Sequence, residues 1–329
     1  MRSFAVALAL LLVSCGDDGP RDAQLELSVV ADGFEGPTQI AIAPDGRLLV
    51  AELNGGERDG TGRVAAVDLD DPDRREVLVD GLLTPTGLAV ADGRLWIMEQ
   101  RRLTVGPLGG GTDRTVVLDA LPFNGRSQGT ITPLADGSIL YDTSGRREGD
   151  GLASGSGTLW TLTGPDAAPV AYATGFKHAY AHVVGPDDRL WVTEMSDGRL
   201  DGTVPPDELV EVMVDDDFGY PRCVGDRIPV AELGATDATC TDTPRSHAIF
   251  PAGATPTSVV VAPWDPGTLL VALWNRGEIV AVPIAADGRP HAGEVLIDTV
   301  ERPQHLLVAG DRVLVTDHAT GRVVAITPR

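Results

Sequence analysis

Charged and polar residues recur at the two ends of apolar segments along this chain, and their types are those that bind small polar molecules. Those that follow an apolar segment are Glu52, Glu99, Asp142, Ser144, Glu194, Asn275, Arg276, Asp317 and His318. Those that precede one are Pro37, Gln39, Pro85, Arg126, Lys177, His178, Thr255, Arg302, Gln304 and His305. Guanidinium groups bind carboxylates, carboxylates bind cations, and histidine exchanges protons near neutral pH. If these residues meet, they predict a site for a small polar ligand.

The apolar segments belong to one repeated unit, an apolar strand, a tight turn often spelled Asp-Gly, and a second apolar strand that ends at a polar residue. The copies run over Thr38–Glu52, Thr86–Glu99, Gly129–Ser144, Ala181–Glu194, Thr257–Trp274 and Gln304–Asp317. Asp-Gly turns suit tight connections between antiparallel strands. Six copies of a hairpin therefore indicate six repeats of one structural unit.

Less apolar stretches behind each hairpin can supply two further strands, which makes a four-stranded propeller blade. The last copy has only three strands before Arg329, and Leu25–Phe34 can supply the fourth. We therefore expect an all-β, six-bladed β-propeller over residues 25–329, closed by its N-terminal strand. A series of sandwiches or two separate domains is the alternative. In a blade, residues before the first strand and after the second share one end, which would gather the polar residues at one mouth of the channel.

The N-terminus resembles an export signal. One arginine precedes the apolar run Phe4–Val13, which is too short to span a bilayer as a helix. Leu12-Val13-Ser14-Cys15 resembles a bacterial lipobox, so we expect a lipoprotein signal peptide at 1–14, lipidation at Cys15 and a short linker at 15–24. The alternative is a plain cleaved signal. This predicts an exported bacterial lipoprotein on the periplasmic or cell-surface side of a membrane, held there by its lipid anchor.

Export favours oxidation of the remaining cysteines, Cys223 and Cys240, so a disulfide between them is expected within an insertion at about 215–247. The formal charge of −22 argues against nucleic acid as a partner.

Several motifs of this sequence occur in the same order in a known family. The motifs are GFKHAYAHV, PDDRLWVTE, PPDEL, FGYPRC, LLVALWNRGEIVAV and the C-terminal run from Glu301 to Pro328. Together they resemble the soluble quinoprotein glucose/sorbosone dehydrogenases, most closely the L-sorbosone dehydrogenase-like branch, over roughly Gly33 to Pro328. The resemblance implies a six-bladed propeller that binds pyrroloquinoline quinone (PQQ) and Ca²⁺ at one mouth and oxidises a sugar or alcohol group. A histidine base takes the hydroxyl proton, and basic and amide side chains hold the cofactor.

The chain departs from the family at the position of that base, where it has Arg126, because an arginine does not accept protons near neutral pH. His178 and His305 are the substitutes at the rim, whereas His182, inside an apolar strand, fits a packing role. The residues expected to bind the cofactor are Lys177, Arg126, Gln39, Asn275, Arg276 and Arg302. Those expected to bind the metal are Glu194, Asp197, Asp207 and Glu208.

Three functions follow from these residues. The first is sugar or alcohol oxidation with PQQ. The second is a non-catalytic propeller that binds a carbohydrate or an envelope partner, suggested by Arg126 in the place of the base. The third is hydrolysis of a lactone at a metal held by Glu52, Glu99, Glu194 and Asp317. Rim acids are also common as structural groups that bind backbone or a neighbouring arginine.

Overall fold

The structure is a computed structural model, and it describes residues 25–196, 198–285 and 288–329. The expected signal peptide at 1–14, the linker at 15–24, the lipidated Cys15 and the metal candidate Asp197 lie outside the described residues. They stay predictions.

The described residues form twenty-eight β-strands, numbered here in chain order. These are β1 Leu25–Ala31, β2 Pro37–Ile42, β3 Leu48–Glu52, β4 Gly62–Val67, β5 Arg75–Leu82, β6 Gly87–Ala91, β7 Arg94–Met98, β8 Leu103–Pro107, β9 Thr115–Leu118, β10 Ile131–Pro133, β11 Ile139–Thr143, β12 Arg147–Glu148, β13 Gly151–Leu152, β14 Thr158–Leu162, β15 Val170–Thr174, β16 Ala179–Val184, β17 Leu190–Glu194, β18 Asp207–Val212, β19 Cys223–Val224, β20 Ile228–Pro229, β21 Ser246–Phe250, β22 Pro256–Ala262, β23 Asp265–Leu273, β24 Glu278–Pro283, β25 Glu294–Ile297, β26 Pro303–Ala309, β27 Arg312–Asp317 and β28 Arg322–Pro328. The helical segments are 3₁₀ turns at Pro186–Asp188 and Ala231–Leu233 and one α-helical turn, α1, at Asp237–Cys240.

The strands form six four-stranded antiparallel sheets, as the hairpin repeats predict. From the channel outward, the blades are β2-β3-β4-β5, β6-β7-β8-β9, β10-β11-β14-β15, β16-β17-β18-β21, β22-β23-β24-β25 and β26-β27-β28-β1, numbered 1 to 6. The innermost strands contact one another in a closed cycle, β2 to β6, β10, β16, β22, β26 and back to β2. The all-β, six-bladed propeller is confirmed.

The N-terminal strand closes the last blade, which is also confirmed. β1 pairs antiparallel with β28, from Leu25 opposite Pro328 to Ala31 opposite Val323. This pairing covers the edge that β28 would otherwise expose.

Apolar side chains of neighbouring blades pack face to face and hold the ring together. Between blades 4 and 5, for example, Trp191 and Leu209 pack with Val259, Leu269 and Val271, all almost fully buried. Similar buried clusters lie between the other pairs of blades. Burial of a large apolar side chain contributes about 1.5–3 kcal/mol, so these interfaces make the channel wall rigid enough to position a site.

The expected insertion lies between β18 and β21 and carries β19, β20 and α1. Its Cys223 and Cys240 form a disulfide, as predicted. The segment also runs beside the outer strand of blade 3, where Asp215 and Phe218 donate backbone N–H groups to the carbonyls of Tyr172 and Thr174. In the described part of the chain, no helix has the length and apolar character needed to cross a membrane.

Candidate functional site at one mouth of the channel

A cavity of about 180 Å³ lies at the end of the channel where the inner strands begin and the second strands end. All six blades contribute to its wall. The lining residues include Thr38, Glu57, Arg58, Thr86, Gln100, Arg126, His178, Tyr180, Thr257, Trp274, Asn275, Gln304 and His318. The gathering of rim residues at one mouth is therefore observed. We call this space the mouth cavity.

His178 is a predicted base that the structure places in the mouth cavity. Its side chain is buried, and its Nε2 lies 3.6 Å from Oδ2 of Asp142. The ring also meets Tyr180 edge to face, with 5.1 Å between centroids. The backbone N–H groups of Lys177 and His178 donate to the Glu194 carboxylate, at 2.6 and 3.1 Å, which fixes the segment that carries the imidazole.

Asp142 lies behind His178 and is fully buried. Burial raises the pKa of its carboxyl to about 8, although the backbone N–H of Gly129 donates to Oδ1 at 2.6 Å and opposes the shift. Because burial excludes water from this carboxyl, its negatively charged form is poorly solvated and therefore disfavoured. Near neutral pH, Asp142 therefore stands as a neutral acid beside the imidazole.

The inner strands carry a ring of six residues, one from each blade at equivalent positions near the start of the strand, and five of them form the floor of the mouth cavity. The six are Thr38, Thr86, Thr130, Tyr180, Thr257 and Gln304. All of these except Thr130 line the cavity. Gln304 Nε2 donates to the Tyr180 hydroxyl at 2.7 Å and so links blades 6 and 4.

Gln39, predicted to bind the cofactor, is outside the lining of the mouth cavity. Its Nε2 donates to the carbonyl of Ile131 at 2.9 Å, and its Oε1 accepts from the N–H groups of Leu88 and Ile131 at 2.7 and 3.0 Å. The amide thus joins blades 1, 2 and 3 and uses its hydrogen-bonding capacity within the protein. Its role in this structure is to hold inner strands together.

The acids that end the second strands are structural in this structure. Glu52, Glu99, Asp142, Glu194 and Asp317 accept hydrogen bonds from the backbone N–H groups of Glu35, Leu83, Gly129, Lys177 and Arg302, each in the segment before the inner strand of its own blade. In blade 5, Asn275 replaces the acid and its Nδ2 donates to Gly253 O at 3.0 Å. Metal-assisted lactone hydrolysis needs these oxygens free, so the geometry does not favour it.

The other residues predicted to bind the cofactor, four cations and Asn275, separate into two groups. Arg126 and the amide of Asn275 line the mouth cavity, whereas Lys177, Arg276 and Arg302 are outside its lining. Arg276 pairs with Glu278, with Nε 2.7 Å from Oε2. Arg302 donates to Asn275 Oδ1 at 2.8 Å and stacks on Trp274, with 4.3 Å from its Cζ to the ring centroid. Arg302 thus supports two lining residues from behind.

His305, the other predicted base, is buried beside the inner strand of blade 1 and is outside the lining of the mouth cavity. Its Nδ1 lies 3.5 Å from the backbone N of Ile40, which donates to it. Burial lowers the pKa of His305 to about 3. His182 is similar, with Nδ1 2.6 Å from Thr132 Oγ1 and a pKa lowered by burial to about 3, as expected of a packing histidine.

The described members of the predicted metal set are committed to other contacts. Asp207 accepts from the N–H groups of Ser196 and Thr255, both at 2.8 Å, and Glu208 accepts from the Ser246 hydroxyl. Burial raises the pKa of Glu194 well above its usual value and that of Glu208 to about 7. Among the residues described, no three His, Cys, Asp or Glu side chains form a group that could hold a metal ion. The structure therefore does not assemble the predicted calcium site from these residues.

Sequence reasoning missed Thr86 and Tyr180, which lie on the floor, and Arg58 and Gln100, which lie on the wall. The repeat copies contain a signal for the floor, because three of them begin at an equivalent threonine: Thr38, Thr86 and Thr257. Alignment of the copies on that position would have identified a ring of residues facing the channel.

No protein-family model matches the sequence, and no curated protein is similar to it in sequence. Solved structures share its fold. They include a carbohydrate-active enzyme of family AA12 from Trichoderma reesei (TM-score 0.78, 16% identity, 93% of this chain and 96% of that one). The PQQ domain of a pyranose dehydrogenase from Coprinopsis cinerea, in its holo form, has a TM-score of 0.74 at 15% identity, over 92% and 95% of the two chains. The PQQ-bound aldose sugar dehydrogenase from Streptomyces coelicolor has a TM-score of 0.71 at 17% identity, over 93% and 98%.

The chain has the fold of these proteins. At such identities the likeness covers the course of the backbone and leaves the chemistry to be argued from the residues of the mouth cavity.

Proposed function

We propose that the mouth cavity binds a sugar or another small hydroxylated molecule and oxidises one hydroxyl group of it, with PQQ as the electron acceptor. The observation that carries the proposal is His178, a buried imidazole in the wall of the cavity with Asp142 behind it. The fold shared with the PQQ domain of a pyranose dehydrogenase and with a PQQ-bound aldose sugar dehydrogenase supports the same reaction.

In this reaction the substrate loses a proton from its hydroxyl oxygen and a hydride from the carbon that bears it, and a carbonyl compound is formed. His178 takes the proton, and its burial keeps the transfer away from bulk water. Asp142 lies 3.6 Å from the imidazole and, as a neutral acid, does not compete for the proton. The chemistry that a bound quinone supplies is acceptance of the hydride.

The donor set of the mouth cavity suits the cofactor. Arg58 and Arg126 bring two guanidinium groups, and Gln100 brings an amide, to the rim of a cavity that also has the aromatic ring of Trp274. A planar quinone with three carboxylates is matched by such cations and by an aromatic wall. Of the predicted cofactor residues, Arg126 would contribute to holding it. The amide of Asn275 already donates to Gly253 O and Thr255 Oγ1 and accepts from Arg302.

The donor set does not suit calcium. Glu57 is the single acid among the lining residues that the structure describes, and the expected ligands accept backbone or hydroxyl hydrogens instead. Ca²⁺ takes six to eight oxygen ligands. We therefore derive no step through a calcium ion.

A non-catalytic propeller that binds a carbohydrate or an envelope partner is the second candidate. It is favoured by Arg126, the residue at the position where the resemblance places the base, because the guanidinium stays protonated. The two candidates agree on the cavity and differ on whether His178 transfers a proton.

Reconstitution tests the proposal. The purified protein is incubated with PQQ, with and without Ca²⁺, and cofactor absorbance and dye reduction are measured over a panel of aldoses and alcohols. His178→Asn should lower dye reduction by about 10²- to 10⁴-fold, the usual contribution of a general base, and leave quinone binding largely intact. His291→Asn is the matched control, since His291 is outside the lining of the mouth cavity and its Nε2 donates to the carbonyl of Ala285 at 3.0 Å. Quinone binding without dye reduction supports the binding module, and failure to bind the quinone rules out the PQQ reaction.

We also propose that Cys15 carries a lipid that holds the propeller at the surface of a membrane after export. The lipobox-like segment that ends at Cys15 supports this. Radiolabelled palmitate should enter the full-length protein in a bacterial host and be absent from Cys15→Ser. Equal labelling of both proteins would contradict the assignment.

A further inference from the structure

The ring of residues near the start of the inner strands repeats one hydrogen bond between neighbouring blades. The Thr38 hydroxyl of blade 1 donates to the carbonyl of Pro85 at 2.6 Å, just before the inner strand of blade 2. The Thr130 hydroxyl of blade 3 donates to Tyr180 O in blade 4 at 3.3 Å. The Thr257 hydroxyl of blade 5 donates to Pro303 O in blade 6 at 2.8 Å. Each hydroxyl thus joins its blade to the next one.

The side chains at the remaining ring positions also have hydrogen-bond partners within the protein, with one exception. Tyr180 and Gln304 bond to each other through their side chains. Thr86 of blade 2 occupies the equivalent position, and its backbone N–H donates to Met98 O at 3.0 Å. Its hydroxyl, however, has no hydrogen-bond partner among the described residues. Thr86 is only 6% exposed, and it lines the mouth cavity.

An unpartnered hydroxyl in this position has a thermodynamic cost. A buried polar group without a hydrogen bond is destabilising relative to an apolar group of the same shape. Thr38, Thr130 and Thr257 occupy the equivalent position in three other blades. They show that a threonine at this position can hydrogen-bond a backbone carbonyl of the neighbouring blade. In blade 2 the hydroxyl has no such partner among the described residues, and the residue lines the mouth cavity.

We propose that the Thr86 hydroxyl is a ligand-binding and specificity-determining group of the mouth cavity, and that it hydrogen-bonds a hydroxyl of a neutral sugar or polyol. This rests on the proposed function, whose substrate class it narrows. A hydroxyl both donates and accepts, so it pairs with another hydroxyl in either direction and prefers no charge on the ligand. Its position on the floor, among residues from the same ring as Tyr180, lets it orient a substrate that His178 meets from blade 4.

The experiment compares Thr86→Val with Thr130→Val. Valine keeps the shape of threonine and removes the hydroxyl. Thr130 is the matched control, since it has the equivalent place in blade 3, its hydroxyl is bonded to Tyr180 O, and it is outside the lining of the cavity. Binding of D-glucose, D-xylose and D-glucitol to the full-length protein is measured by calorimetry, and thermal unfolding is measured without ligand.

Thr86→Val should unfold at the same temperature as wild type or higher, and Thr130→Val at a lower one, because only the latter breaks a bond within the protein. For each sugar that binds wild type, Thr86→Val should raise the Kd about 5- to 150-fold, the range expected when a ligand hydroxyl loses its partner, and Thr130→Val should leave it within twofold.

Three results would overturn the proposal: destabilisation of Thr86→Val to the extent of Thr130→Val, an unchanged Kd in Thr86→Val, or no binding of any of the three probes to wild type. Failure of the oxidation is distinguishable from these. If the probes bind, and bind more weakly to Thr86→Val, while no dye is reduced, then the assignment of Thr86 stands and the dehydrogenase reaction does not.

Discussion

Asp142 provides a direct test of the electrostatics at the site, because its carboxyl is fully buried and lies 3.6 Å from the imidazole of His178. We predict that Asp142→Asn stabilises the protein at neutral and alkaline pH relative to wild type. Asparagine has the same shape, and its Oδ1 can still accept from the N–H of Gly129. The change removes only the ability to ionise.

The magnitude follows from the shift in pKa. Burial raises the pKa of Asp142 from 3.8 to about 8 in the folded protein. Below pH 4 the carboxyl is neutral in both the folded and the unfolded chain. As pH rises from 4 to 8, the unfolded chain releases this proton and the folded one holds it, so wild type loses stability over that window and the loss levels off above pH 8. At about 1.4 kcal/mol per pH unit, the loss relative to Asp142→Asn approaches roughly 6 kcal/mol, as an upper bound.

The assay is urea denaturation of both proteins at pH 5, 6, 7, 8 and 9, followed by tryptophan fluorescence. The other buried acids, Glu194 and Glu208, are common to the two proteins and cancel in the difference between their unfolding free energies. That difference should grow in favour of Asp142→Asn up to about pH 8.

A difference of opposite sign near pH 7 would refute the reasoning. It would mean that Asp142 is ionised and paired with a protonated His178, so that asparagine leaves a buried imidazolium without its counter-ion. His178 would then lack a free nitrogen lone pair for the substrate proton, and the proposed base would need to be another group.

Two further predictions concern the frame around the site. Gln39→Leu should lower the free energy of unfolding by on the order of 3 kcal/mol, because it leaves the N–H groups of Leu88 and Ile131 without their partner. The control is Gln100→Leu, which alters an amide that makes no side-chain hydrogen bond within the described chain. Equal urea midpoints for the two variants would contradict the role of Gln39. Replacement of both Cys223 and Cys240 by serine should lower the free energy of unfolding by about 3 kcal/mol, because the disulfide no longer restricts the unfolded chain. Thermal unfolding in the presence and absence of reductant measures this loss. An unchanged midpoint would show that the insertion is held by its other contacts.

The fold of this protein could be predicted from its sequence, because a blade is defined by local patterns. Alternating apolar residues and Asp-Gly turns specify each hairpin, and hairpins repeated six times specify a ring. The missing fourth strand of the last blade and the spare segment at Leu25 predicted the closure by β1. The pairing of Cys223 with Cys240 followed from the expectation of export and from the count of cysteines.

The assembly of the site was decided by the tertiary structure, because its hydrogen bonds join residues far apart in sequence. Gln39 meets Ile131, and His305 meets Ile40, across blades. Glu194, predicted to bind a metal, instead accepts hydrogen bonds from the backbone N–H groups of Lys177 and His178. Thr38 and Thr86 follow a proline in the same repeat and look alike in the sequence. Only the packing of neighbouring blades gives the hydroxyl of Thr38 a carbonyl to bond and leaves that of Thr86 without a partner among the described residues.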